Sequence, residues 1–100
     1  MSTTSFKDKT VIITGASAGV GAACARLFAR HGAKLVLVAR GEEALNNFAD
    51  TLRGQTKVMT VAMDVANETA CIKLIEAAAS KFGAIHVLIN NAGLHHRGDF

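Results

Sequence analysis

Three features of the sequence predict an α/β fold built on a doubly wound parallel sheet. Apolar runs of strand length alternate strictly with segments whose apolar residues recur at helical spacing, giving the order β-α-β-α-β-α-β. The strand runs are apolar at successive positions, as strands are when helices cover both faces of a parallel sheet. The connections are short, which suits right-handed crossovers between neighbouring parallel strands.

The first strand is Thr10 to Ile13 in TVIIT, short and rich in β-branched residues. It runs into Thr14 to Gly21, TGASAGVG, a glycine-rich turn. Beyond it, Val20, Ala23, Cys24, Leu27, Phe28 and His31 fall on one side of a helix that Gly32 closes. The second strand is Lys34 to Ala39, KLVLVA, stopping at Arg40. Gly41 to Arg53 carries Leu45, Phe48, Ala49 and Leu52 at helical spacing, with Glu42 and Glu43 in the first turn where the helix dipole favours acids, and Gly54 ends it. Lys57 to Met63, KVMTVAM, is the third strand, ending at Asp64. Asn67 is placed to cap a third helix with the stripe Cys71, Leu74, Ile75, Ala78 and Phe82, terminated by Gly83. Ile85 to Asn90, IHVLIN, is the fourth strand.

One hundred residues bound the chain to one domain, and with 50% hydrophobic residues it can build a small core. The net charge of +3 comes from bases scattered among acids, with no run of like charge to mark a nucleic-acid or lipid surface. Cys24 and Cys71, far apart and on helix faces, read as small packing residues in a reducing compartment. The start, MSTTSFKDK, has no apolar signal region, and no run is long enough to cross a bilayer, so the expected location is cytoplasmic. His86, His95 and His96 lack the ligand spacing of a zinc site, and no metal is expected. The chain contains no tyrosine.

Ligands of open parallel sheets bind beyond the carboxyl ends of the strands, where the strand order reverses. Those ends deliver TGASAGVG, Arg40, Asp64 with Val65, and Asn90, Asn91, Ala92 and Gly93, whereas the opposite ends offer only Lys34, Lys57 and glycines. In the turn, Gly15 permits a sharp reversal. Gly19 and Gly21 let a pyrophosphate approach the backbone and let the helix start lie tight on the sheet, with Ser17 adding a hydroxyl donor. Its spacing departs from the G-x-G-x-x-G dinucleotide fingerprint and lacks the G-K-[ST] ending of a P-loop; a plain tight βα turn is the alternative.

Taken together, TGASAGVG, Asp64 with Val65, and NNAG at Asn90 to Gly93 resemble the short-chain dehydrogenase/reductase family, over about Lys9 to Gly93. The resemblance implies a Rossmann-like fold and a nicotinamide cofactor held by Gly15, Ser17, Ala18, Gly19, Val20 and Gly21 at the pyrophosphate, Asp64 and Val65 at the adenine, and Asn91, Ala92 and Gly93 beside the ribose. It also implies that Asn90 and Asn91 steady the sheet, and that the protein is a dimer or tetramer acting on a small carbonyl or alcohol. Arg40 stands where an acid would accept from a ribose 2′-hydroxyl, and a guanidinium there pairs with a 2′-phosphate, so NADP is expected over NAD by about tenfold to a hundredfold. The alternative is that Arg40 is a solvated loop residue. Relatives that prefer NADP often place a second base in the turn, where this chain has Ala18.

Family chemistry uses a Tyr-x-x-x-Lys pair with a serine, and none can be placed here: Ser2, Ser5, Ser17 and Ser80 lie in the tail, the cofactor turn and a helix end, and no catalytic residue is assigned. Doubly wound dinucleotide folds continue to about six strands, so residues 1–100 read as the first four strands of a longer domain, expected to aggregate if made alone. A non-catalytic dinucleotide sensor or scaffold is the rival reading. A methyltransferase is disfavoured because its site wants an acid after the second strand.

Overall fold

The structure is a computed structural model, and it describes residues 6–91. Seven elements follow in order: β1 (Thr10–Thr14), α1 (Gly19–Arg30), β2 (Lys34–Ala39), α2 (Glu42–Asp50), β3 (Val58–Ala62), α3 (Glu68–Phe82) and β4 (Val87–Ile89). The strands form one parallel sheet in the order β3-β2-β1-β4. The chain steps from β1 to β2 to β3 in one direction, then crosses back to lay β4 on the other side of β1. The strand order therefore reverses between β1 and β4.

Successive strand residues serve different faces. Val11 and Ile13 of β1 and Leu35 and Leu37 of β2 pack with Ala25 and Ala29 of α1 and Leu45 and Ala49 of α2. Ile12, Val36 and Val38 point the other way, onto Leu74 and Ala78 of α3. This two-sided burial is why the strand runs are apolar without alternation. Across the α1–α2 side, Arg26 sits 5.7 Å from the Phe48 ring centre, joining the two helices at their outer edge.

The face that α1 turns inward differs from the predicted stripe. Its buried residues are Gly21, Ala22, Ala25 and Ala29, while Val20 and Leu27 are 60% and 43% exposed. Cys24 and Phe28 do pack against the core from the flank of that face. The cause is volume: glycine and alanine let the helix approach the sheet, and apolar spacing alone does not separate a small face from a bulky one. On α3 the expected Leu74 and Ala78 are buried, whereas Ile75 is exposed.

The ends of α1 and α3 follow their sequence signals, whereas α2 stops at Asp50 with Thr51 as its cap, short of the predicted Gly54, and Leu52 is buried from the turn that follows. Asn67 Oδ1 accepts from the Ala70 N–H at 2.9 Å, and Gly83 stops α3 in the left-handed region, φ 90°. Gly32, φ 81°, ends α1 with its N–H on the Ala29 carbonyl. Cys24 in α1 and Cys71 in α3 are free thiols on opposite sides of the sheet.

β4 is shorter than predicted because a side chain takes over its first pairing. The His86 N–H donates to the Thr10 carbonyl, and His86 Nδ1 accepts from the Thr10 N–H, each at 3.0 Å. The Thr10 hydroxyl has a different fate: it is fully buried and, among the described residues, makes no hydrogen bond. A buried unpaired hydroxyl costs stability that an isosteric apolar group does not. Thr10→Val is therefore expected to raise the unfolding free energy of the full-length protein by about 1 kcal/mol, read from the shift in its denaturant midpoint.

Candidate functional site

The carboxyl ends of β1 and β4 meet at the reversal, and the glycine turn begins there. Gly15 and Gly19 both adopt left-handed backbone, φ 61° and 56°, which glycine enters without a Cβ clash. Gly21 has another role. A Cβ on it would stand 2.1 Å from the Gly15 carbonyl oxygen and 2.9 Å from Asn91 Nδ2, so the first turn of α1 is pressed against the loop and against β4. Beside Gly19, by contrast, the space is open.

Hydrogen bonds among the described residues hold this turn. The Ala16 N–H donates to the Val38 carbonyl of β2 at 3.1 Å, and Asn91 Nδ2 donates to the Gly15 carbonyl at 3.3 Å. Thr14 Oγ1 accepts from the Asn91 N–H at 2.9 Å and donates to Asn90 Oδ1 at 3.1 Å. Asn91, 3% exposed, thus ties the loop to the end of β4, and Asn90 Oδ1 accepts from the Thr14 hydroxyl. Thr14 is the residue that local sequence reading passes over, and its only local signal is a hydroxyl at the last position of a buried strand. Thr14→Val would strand the buried Asn91 N–H, with an expected loss of about 1 to 3 kcal/mol in denaturant unfolding. The same exchange at the two ends of β1 should therefore act with opposite sign.

Electrostatically, the three helix starts on this rim differ. α2 begins with Glu42 and Glu43, and α3 with the Asn67 cap and Glu68. α1 has neither: its cap residue Ala18 offers no side-chain acceptor, and no acid lies in the first turn. Among the described residues no side chain caps its leading N–H groups, and the positive end of its dipole points to the reversal of strand order.

The remaining predicted site residues lie farther along the same rim. Arg40 follows β2, is exposed, and pairs with no carboxylate among the described residues. The Ala16–Val38 bond sets the end of β2 directly against the glycine turn. Asp64 and Val65 follow β3, two strands from β1, roughly 10 Å away at ordinary strand spacing. One Asp64 carboxylate oxygen accepts from the Ala66 N–H at 2.9 Å, and the Val65 carbonyl accepts from the Cys71 thiol at 3.2 Å, which fixes this loop on α3. Ser17, Ala18 and Val20 sit in the turn and at the start of α1. Ala92, Gly93, His95, His96 and the segment 94–100 lie outside the described residues. Among those described, no cluster of His, Cys, Asp or Glu is placed to hold a metal, and no helix is long and apolar enough to cross a membrane.

Fold and rim together define a doubly wound α/β domain with a glycine turn at its switch point. The family model of the short chain dehydrogenases matches residues 9–100, and the chain belongs to that family. It is 42% identical over 93 residues to a meso-2,3-butanediol dehydrogenase of Serratia marcescens, covering 93% of this chain and 37% of that protein. It is equally identical, 42% over 93 residues, to an 11-beta-hydroxysteroid dehydrogenase of Pinus massoniana, covering 91% of this chain and 26% of the relative. Among solved structures, L-sorbose reductase of Gluconobacter frateurii, complexed with NADPH and L-sorbose, superposes with a TM-score of 0.86 at 35% identity over 98% of this chain and 40% of that one. A short-chain dehydrogenase/reductase of Burkholderia phymatum in complex with NAD gives 0.80 at 42% identity, covering 83% and 30%. The chain spans between about a quarter and two-fifths of the length of these relatives.

Proposed function

We propose that this rim binds the pyrophosphate of a nicotinamide dinucleotide, NADP(H) in preference to NAD(H), in an oxidoreductase acting on a small carbonyl or alcohol. The observation that carries the reading is the uncapped, acid-free start of α1 beside two left-handed glycines at the switch point. Ser17 and the amides of residues 19–21 would hold the phosphates, Asp64 and Val65 the adenine, and Asn91, Ala92 and Gly93 the ribose. The dinucleotide would supply the hydride to a carbonyl or accept it from an alcohol. This chain's own residues bind and orient it, and the proton-handling Tyr, Lys and Ser are assigned to the protein outside residues 1–100, since these hold no tyrosine. We place the full-length protein in the cytoplasm as a homo-oligomer, with residues 1–100 forming the amino-terminal part of one dinucleotide-binding domain.

Similar folds with NAD and with NADPH are both known, so the choice rests on Arg40. An arginine at the end of β2 offers a paired donor set to a 2′-phosphate, while no acid stands there to accept from a 2′-hydroxyl. Calorimetric titration of the full-length protein is expected to give a Kd for NADPH about tenfold or more below that for NADH. Equal or tighter NADH binding would overturn the preference. Uptake of neither would overturn the site.

A further inference from the structure

We propose a second anion site on the opposite rim of the sheet, built to take a compact, multiply charged anion carrying clustered phosphates or carboxylates. Lys7, Arg30, Lys34, Arg53 and Lys57, scattered in sequence, line one cleft of about 900 Å³, with His31 and a lone acid, Asp8. An adjoining hollow of about 420 Å³ shares Arg53 and Lys57 and adds Lys81. The fold is what gathers them. In a parallel sheet with helical crossovers, every strand begins and every helix ends on this rim, so residues that flank those points converge.

Helix ends attract bases on their own account, and Arg30 and Lys81 occupy the last turns of α1 and α3. That demand is too small to explain the cluster. Three helix ends at about half a negative charge each, with Asp8 and Asp50, amount to about three and a half negative charges against six full positive ones. The rim keeps a surplus of more than two positive charges, while acids open α2 and α3 at the other end of the molecule.

Several of these cations are also held in place. Arg53 donates to Asp50 Oδ1 at 3.1 Å and to the Val58 carbonyl at 2.6 Å. Lys34 Nζ lies 5.9 Å from the centre of the Phe82 ring. Lys7 lies beside Gly32, where a Cβ would come into van der Waals contact with Lys7 Cα and Cγ, each at 3.4 Å. The lining of the larger cleft has no Phe, Tyr or Trp and no large apolar side chain, so an apolar body finds no surface to bury against. What remains is charge and hydrogen-bond donors, which suits phosphate or carboxylate groups. Strands of five and six residues separate this cleft from the glycine turn by roughly 15 to 20 Å, so both sites can be filled together.

The test uses the full-length protein saturated with NADPH, titrated calorimetrically with inorganic tripolyphosphate at fixed ionic strength. Binding should persist with the cofactor bound and should raise the melting temperature. Lys57→Glu should weaken it about tenfold, whereas Lys73→Glu, the same charge change on the exposed part of α3, should shift it less than about twofold. Arg30→Gln, a milder change, should weaken it in the same sense; the ligand-free melting temperatures of the two lysine variants should match the parent, and that of Arg30→Gln should fall by no more than about 4 °C, the cost of one base at a helix end. Absence of heat in the NADPH complex, competition with NADPH, or equal weakening by Lys73→Glu would each overturn the proposal. Tighter uptake of a single-stranded RNA than of tripolyphosphate would overturn it too, by making the rim a nucleic-acid surface.

Discussion

Gly21→Ala is expected to abolish dinucleotide binding by the full-length protein and to lower its stability by about 3 kcal/mol or more. The added carbon would stand 2.1 Å from the Gly15 carbonyl oxygen, 2.8 Å from the Gly15 carbonyl carbon and 2.9 Å from Asn91 Nδ2. Two of these atoms are backbone, so no rotamer change relieves the contact. Either the glycine turn or the start of α1 has to move by about an ångström, in a region packed at interior density. Moving the turn breaks the Asn91–Gly15 and Ala16–Val38 bonds, and moving α1 withdraws its N–H groups from the place where phosphate would sit. Denaturant unfolding read beside a cofactor titration checks both halves. A variant with parental stability and cofactor affinity would show that the turn is not packed as described. Gly41→Ala is the matching control, since a Cβ there meets nothing within 4 Å.

Arg40→Asp should reverse cofactor preference, with the ratio of NADPH to NADH affinity falling by about several hundredfold. Losing a charge-assisted hydrogen bond removes about 1.5 to 3 kcal/mol from NADPH, and the carboxylate repels the 2′-phosphate while accepting from the 2′-hydroxyl of NADH. Stability should barely change, because Arg40 is exposed and no carboxylate pairs with it among the described residues. Paired titrations with both reduced cofactors at low and high salt measure the switch, and the NADPH term should shrink as salt screens it. An unchanged ratio would return Arg40 to the status of a solvated loop residue.

What could be read from the sequence, and what could not, divides along the range of the interactions. The order of elements is visible because apolar spacing is a local property, and Asn67, Gly32 and Gly83 are visible because caps act within a turn of their own helix. The glycine turn is legible as chemistry for the same reason. Thr14 and His86 are opaque: their partners lie 76 or 77 residues away, and no local pattern records which hydroxyl or imidazole will meet a distant backbone group. The inward face of α1 is misread because alanine counts weakly in any apolar tally, yet here the small side chains mark the contact. The basic rim escapes for the same reason as Thr14 and His86, since Lys7, Arg30, Arg53 and Lys81 become neighbours only through topology.

The bond from Asn91 to Gly15 joins the start of the chain to a residue made 76 positions later. During synthesis, β1 and the glycine turn leave the ribosome long before β4 exists to brace them. Cofactor capture by a stalled nascent chain should accordingly be absent while Asn91 is still inside the exit tunnel and arise only after that asparagine emerges.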